Sequence, residues 1–389
     1  MYGMLLFMLF TFTLLGIVIN SELNQHSKLT NEQKESENNE DSLTDIEVGS
    51  DEVISEDDVD PALSEDEEPT LTEQDDANSL DTVMVFAGDI YWTDNILGKY
   101  NNDGIDSLLS KDMQEEFKEA DIAMVNQEFA FSNRGTPMQD KQFTFRIDPK
   151  QVQIFNDMKV DIVTLANNHT LDYGTEALLD TFGTLDAANI QYVGAGSNLA
   201  EARKTKYIEV NDKTIAFLGA SRVIPVTDWN AGSDRPGLFT TYDPTALISE
   251  IETAKELCDY VVVYTHWGIE KNTTPEEYQR TLAKQYIDAG ADLVIGSHPH
   301  VLQGIEYYKD KPIVYSLGNF MFSDTINKTA VLKVTLNDND GVQVQFLPCK
   351  AANGLTYKID NQAEMSEFNR YMTELSYNVK FDENGIVQN

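Results

Sequence analysis

The chain has 389 residues, enough for one large domain or two ordinary ones, and its 66 Asp and Glu against 28 Lys and Arg leave a net charge of −38. That sign argues against a nucleic-acid partner, because phosphate backbones are held by cationic surfaces. Cys258 and Cys349 are the only cysteines and neither has a neighbour at metal-ligand spacing, while a bond between the two stays open.

Residues 1–20 begin the chain with an almost wholly apolar run, Met1 to Ile19, just long enough to cross a bilayer as a helix. It reads as an export or anchoring signal. No Lys or Arg precedes it, and Val18-Ile19-Asn20-Ser21 is a poor cleavage site. A retained single-pass anchor with the rest of the chain outside the cell is therefore expected, and secretion after signal cleavage is the alternative. No cysteine follows for lipid attachment. Residues 21–80 hold 21 acidic residues, two lysines and no aromatic residue, which is half of the net charge in one segment. With nothing apolar to offset its ordering entropy, this stretch is expected to be a disordered acidic linker.

Residues 81–350 carry the alternating pattern of a folded domain. Thr82 to Ala87 reads as a strand ending in Gly88-Asp89. A helix over Ile105 to Ala120 leads to the strand Ile122 to Val125, which delivers Asn126-Gln127-Glu128. Pro149 to Met158 reads as a helix and Asp161 to Leu165 as a strand, ending in Ala166-Asn167-Asn168-His169. A helix over Thr175 to Ala188 and the run Gln191 to Gly194 come next. Tyr207 to Val210 and Thr214 to Leu218 form a hairpin across Asn211-Asp212. The helix Pro244 to Leu257 precedes the strand Tyr260 to Tyr264 and then Thr265-His266-Trp267-Gly268. The helix Pro275 to Ala289 precedes Leu293-Val294-Ile295-Gly296-Ser297-His298-Pro299-His300, a buried strand opening onto a loop. Both imidazoles project to one side if the extended geometry persists. Ile313 to Phe320 and two alternating strands, Ala330 to Leu336 and Val342 to Phe346, complete the domain. Residues 351–389 are expected to be a C-terminal extension with a helical period over Ala363 to Leu375. Alternating strands and helices imply an α/β layered fold, and the late hairpins imply a mixed sheet or a pair of sheets.

Four of the five histidines, His169, His266, His298 and His300, follow hydrophobic runs in this way, and only His26 lies in the polar tail. One satisfied core histidine is ordinary; four at strand ends are better explained by chemistry, since open α/β sheets bind ligands at the carboxyl ends of their strands. With Asp89, Asn126, Glu128 and Asn168 they make a set of carboxylate, amide and imidazole donors suited to Mn, Zn or Fe.

These motifs, with Leu171-Asp172-Tyr173-Gly174, His266-Trp267-Gly268-Ile269-Glu270 and Ser316-Leu317-Gly318-Asn319-Phe320, resemble in order those of the bacterial CapA (PgsA) family. That family is linked to poly-γ-glutamate capsule synthesis and is similar to the calcineurin-like metallophosphoesterases. The resemblance runs from Val83 to Phe322 and implies a four-layer α-β-β-α sandwich. It implies one or two divalent metal ions, with Asp89 and His300 on the first, Asn168, His266 and His298 on the second, and Glu128 bridging. His169 would face the substrate as general acid. A capsular polymer or its precursor is the implied partner, with membrane synthase subunits, and a metal-dependent hydrolase-like site or a non-catalytic accessory role is the implied activity. The chain departs from the wider superfamily at Tyr91, where a histidine ligand is usual, and at Glu128, where aspartate is usual.

Overall fold

Alternation along one strand sets the architecture: β1 (Thr82–Ile90) turns Met84 and Phe86 to one face and Val85 and Ala87 to the other, all four buried. A strand buried on both faces must be covered twice, and both covers are present. The structure, a computed structural model, describes residues 81–337 and 341–389. The expected anchor and acidic linker lie outside the described residues.

After β1 come α1 (Asp94–Asp103), α2 (Lys111–Glu119), β2 (Ile122–Gln127), α3 (Gln153–Met158), β3 (Ile162–Thr164), α4 (Gly174–Ala187) and β4 (Gln191–Val193). The four strands pair in parallel. Met113 and Phe117 of α2, Phe155 of α3 and Leu178 of α4 cover the face that Val85 and Val125 present.

A hairpin of β5 (Lys206–Val210) and β6 (Lys213–Ser221) opens a second sheet, its Asn211 and Asp212 at φ 47° and 59° as a two-residue turn between twisted strands requires. α5 (Thr245–Lys255), β7 (Tyr260–His266), α6 (Glu277–Asp288), β8 (Leu293–Ser297), β9 (Leu302–Tyr308) and β10 (Lys311–Leu317) complete it, in the order β9-β10-β8-β7-β6-β5. Phe217 and Tyr264 of this sheet meet Met84 and Phe86 in an inter-sheet core, while Ala216 and Val263 face α5 and α6.

At Gly318 the chain crosses back. Its φ of 62° is a conformation glycine adopts without strain. β11 (Asn319–Met321) then lies beside β1, and β12 (Ile326–Leu336), β13 (Val342–Ala352) and β14 (Leu355–Lys358) extend the first sheet, which is ordered β14-β13-β12-β1-β2-β3-β4. α7 (Gln362–Leu375) sends Phe368 and Met372 into the inter-sheet core. The layers are therefore helix, sheet, sheet, helix, the four-layer α-β-β-α sandwich that the resemblance implied.

Some elements differ from expectation. The helix expected over Ile105 to Ala120 is a short 3-10 turn at Ile105–Ser107 and an α-helix only from Lys111, because Leu108 O and Ser110 N–H between them are bonded to the backbone of Thr356 in β14, at 2.8 and 3.0 Å. α1 and β9 form where no element was expected. Cys258 packs on the outer face of the second sheet and Cys349 on the outer face of the first, so the two thiols, both free, lie on opposite sides of the sandwich and cannot pair. Among the described residues no helix is long and apolar enough to cross a membrane.

Candidate functional site

The parallel strands of both sheets end at one rim, and a bulge decides what β1 contributes to it. Phe86 pairs with Met124 but Asp89 pairs with Asn126, so β1 carries one extra residue there. Read without that bulge, the alternation would send Asp89 outward with Val85 and Ala87; the extra residue turns it toward the second sheet instead. The bulge is held by the crossing at Gly318, whose carbonyl accepts the Asp89 N–H at 2.8 Å. Gly88 has no side chain because Gly318 O lies 1.9 Å from where its Cβ would be. The Gly88-Asp89 pair is thus a strand bulge under a chain crossing.

Asp89, Asn126, Glu128 and His266 are fully or almost fully buried, and His169 and His298 nearly so. Asp89 accepts from the Asn126 amide at 2.8 Å and from the backbone N–H of His298 at 3.3 Å, and its other partner is His300 Nδ1 at 3.2 Å. Asn126 Nδ2 also faces Glu128 Oε1, Ser297 Oγ and His266 Nδ1, at 3.0, 3.1 and 3.3 Å. Two amide hydrogens cannot serve four acceptors. His266 turns Nε2 to Asn168 Oδ1 at 2.8 Å, and its ring centroid lies 4.7 Å from that of His298.

The loop after β8 is not extended. His298 and His300 have φ of 99° and 56°, a strained region for side-chain-bearing residues, and one that clusters at functional sites. The structure still brings both rings to the rim, 5.9 Å apart, by this left-handed path and not by the alternation the sequence suggested.

Burial shapes the charges. Glu128 is raised well above the usual carboxyl value by burial and by Asp89 beside it. Burial would also raise Asp89, but hydrogen bonds from His300 and Asn126 reverse this and hold it low. Burial, with His300 nearby, pushes His298 down to about 4, and burial takes His266 well below the ordinary imidazole value. Burial opposes protonation of His300 too, yet Asp89 and Asn319 outweigh it and raise that group.

His169 stands apart from the others. Its Nδ1 meets Asp172 Oδ2 at 2.7 Å, its ring stacks on Phe145 at 4.1 Å, and Nε2 has no partner among the described residues. Lys141 donates to Asp172 Oδ1 and to the Asn168 carbonyl. Tyr91 stacks on the far face of this column, 3.8 Å from Phe145.

The donors sort into two groups whose ligand atoms lie within 4.8 Å of one another: Asp89, Glu128 and His266, and Glu270, His298 and His300. The resemblance implied another grouping, Asp89 with His300, and Asn168 with His266 and His298; Asp89 and His300 are in contact at 3.2 Å and His266 faces Asn168 at 2.8 Å. Sequence reasoning quoted Asp172 and Glu270 inside motifs without giving them a task, although Asp172 at three residues from His169 was a usable signal. Lys141, in a polar loop, offered none. The set fits a divalent cation, because Glu128 Oε2 and His298 Nδ1 are buried with no hydrogen-bond partner beside a second carboxylate.

Four layers in the order helix, sheet, sheet, helix, with carboxylate, amide and imidazole donors gathered at one rim, define an α/β sandwich class of protein with a donor-rich site at its strand ends. Residues 83–324 match the family described as bacterial capsule synthesis protein PGA_cap, and the chain belongs to that family. It is 36% identical over 273 residues to the PGA biosynthesis protein CapA of Bacillus subtilis, covering 68% of this chain and 70% of that one. It is 33% identical to the capsule biosynthesis protein CapA of Bacillus anthracis, covering 60% of this chain and 58% of the relative. A Mycobacterium tuberculosis protein described as a probable polyglutamine synthesis accessory protein is 31% identical over 51% of this chain and 55% of its own length. The chain thus spans little more than half of the latter two. Among solved structures, a phosphatase from Mycoplasma pneumoniae superposes with a TM-score of 0.46 at 12% identity, over 71% of this chain and 95% of that one.

Proposed function

We propose that this chain is a membrane-anchored, outward-facing component of capsule synthesis whose rim site holds one or two divalent ions, Mn, Zn or Fe, and acts hydrolytically on a capsular polymer or its precursor. The observation that carries the metal reading is the pair of orphaned, buried ligand atoms, Glu128 Oε2 and His298 Nδ1, beside Asp89. Asp89, Glu128, Asn168, His266, His298 and His300 would hold the ions. Bound there, divalent ions supply stabilisation of anionic charge as it develops on a phosphoester or γ-glutamyl amide.

The chain's own groups do the rest. Asp172 Oδ2 faces His169 Nδ1 at 2.7 Å and orients the ring; protonated on both nitrogens, the imidazole would turn Nε2 to the substrate as the atom that gives a proton to the leaving group. Phe145 keeps the ring in plane and Lys141 holds Asp172 in turn. Burial of Asp172 and His169 also keeps water from their contact, which strengthens it.

Elemental analysis of the purified full-length protein tests this reading. His266→Ala and His298→Ala should each lower bound metal, and stripping the metal should lower thermal stability. An ion held at a hundred times its Kd stabilises the fold by about 2.7 kcal/mol. Unchanged stoichiometry in both variants removes the metal reading. The M. tuberculosis relative is described as an accessory protein, and a non-catalytic, polymer-binding role in a membrane synthase becomes the better reading if a substrate panel of esters and amides gives no turnover with metal bound. Protease added to intact cells should remove the domain if it is anchored outside; a protected, cytosolic chain overturns that placement.

A further inference from the structure

The loop after β7 brings a carboxylate to the rim that no assignment above uses. Trp267 N–H donates to Ser297 O at 3.0 Å and Lys271 N–H donates to Pro299 O at 2.8 Å, so residues 267–271 are pinned at both ends to the loop that bears His298 and His300. Trp267 is itself buried, its indole N–H held by Tyr315 O at 3.0 Å. Glu270 sits between these two fastenings.

Glu270 is exposed and makes no hydrogen bond or ion pair among the described residues. Its carboxylate oxygen nevertheless lies within 4.8 Å of one nitrogen of His298 and one of His300. The His300 Nδ1 is already taken by Asn319 Oδ1 at 2.7 Å and by Asp89, which leaves Nε2 to face this group. His298 contributes the independent observation: its Nδ1 is buried and partnerless, on a ring only 5% exposed.

Two imidazoles and one carboxylate form a set that holds a divalent ion of the zinc or manganese kind and leaves a position open. Ligands about 2.1 Å from a tetrahedral ion stand roughly 3.4 Å apart, so from within 4.8 Å Glu270 need swing inward by no more than about 1.4 Å. An exposed side chain without partners is free to do so.

We infer that Glu270 is a direct ligand of a divalent ion held with His298 and His300. This rests on the metal reading above. A carboxylate acting only through space would raise affinity too, but that effect is screened over about 8 Å at physiological salt.

The test is Mn²⁺ titration of the full-length protein, read by the free-ion electron paramagnetic resonance signal and by calorimetry, for the parent, Glu270→Gln and Glu383→Gln. Glu383 is an exposed carboxylate outside the site. Outer-shell losses alone cost about 10- to 100-fold in affinity, so Glu270→Gln should weaken one bound ion by more than tenfold. The loss should persist in high salt, with the metal-free melting temperature and the Glu383→Gln titration unchanged. Parent affinity in Glu270→Gln, or a loss that vanishes in salt, overturns the inference and leaves the metal centre standing. A parent chain that binds no ion overturns both.

Discussion

Replacing Gly88 by alanine tests how this fold aims its site. The new Cβ would stand 1.9 Å from Gly318 O and 3.1 Å from the Leu317 carbonyl carbon, where real Cβ contacts stay beyond 3.0 Å, so the two backbones must part by about 1.1 Å. Neither side can yield locally. Gly318 O is the acceptor of the Asp89 N–H, and β1 is paired on both flanks, with β2 and with β12. Overpacking of a tight site costs about 1–3 kcal/mol, and a clash of backbone with backbone belongs at the upper end or beyond it. At about 2–4 °C per kcal/mol for large domains, the melting temperature should fall by roughly 5–10 °C. Because Asp89 is the next residue, metal affinity should fall as well. Calorimetry of the full-length chain with and without added metal reads both effects. A variant that melts within a degree or two of the parent and binds metal equally well would refute the argument that the crossing at Gly318 holds Asp89 in place.

Other changes give different outcomes. Gly183 lies in α4 with nothing within 4 Å of an added Cβ, so Gly183→Ala should stabilise by about 0.5–1 kcal/mol, read as a small rise in melting temperature. His169→Ala should keep its metal and lose about 10²- to 10⁴-fold in turnover of whichever substrate the panel identifies; loss of metal instead would make His169 a ligand. Burial would raise the carboxyls of Glu116 and Glu306, but Lys358 and Lys333 on the first, and Lys284, Tyr315 and Arg280 on the second, hold both below 4.5. Folded values below the unfolded one mean that this stability is present above pH 4.5 and is lost as pH falls through the folded values. Melting curves should therefore decline below that pH, and Glu116→Gln should melt lower at neutral pH with a flatter acid limb.

What the sequence determined by itself is the alternation of strand and helix and the residue types at the rim. The alternation of strands and helices, the apolar runs that end in Asp89, Glu128, His169, His266 and His298, and the Asn211-Asp212 turn are local signals, and local signals survive in a sequence. Three decisions belonged to the tertiary structure. The bulge before Asp89 depends on a carbonyl from a segment more than two hundred residues away, and without it the alternation sends that carboxylate to the wrong face. The left-handed backbone at His298 and His300 overrides the extended path their spacing suggested, because the loop must fold over Asp89 and pack against Trp267. The helix expected from Ile105 starts late because β14 claims the backbone groups that its first turns would have used. In each case a hydrogen bond to a distant strand outweighs a local preference of about a kilocalorie per mole or less, and no window of neighbouring residues contains that partner.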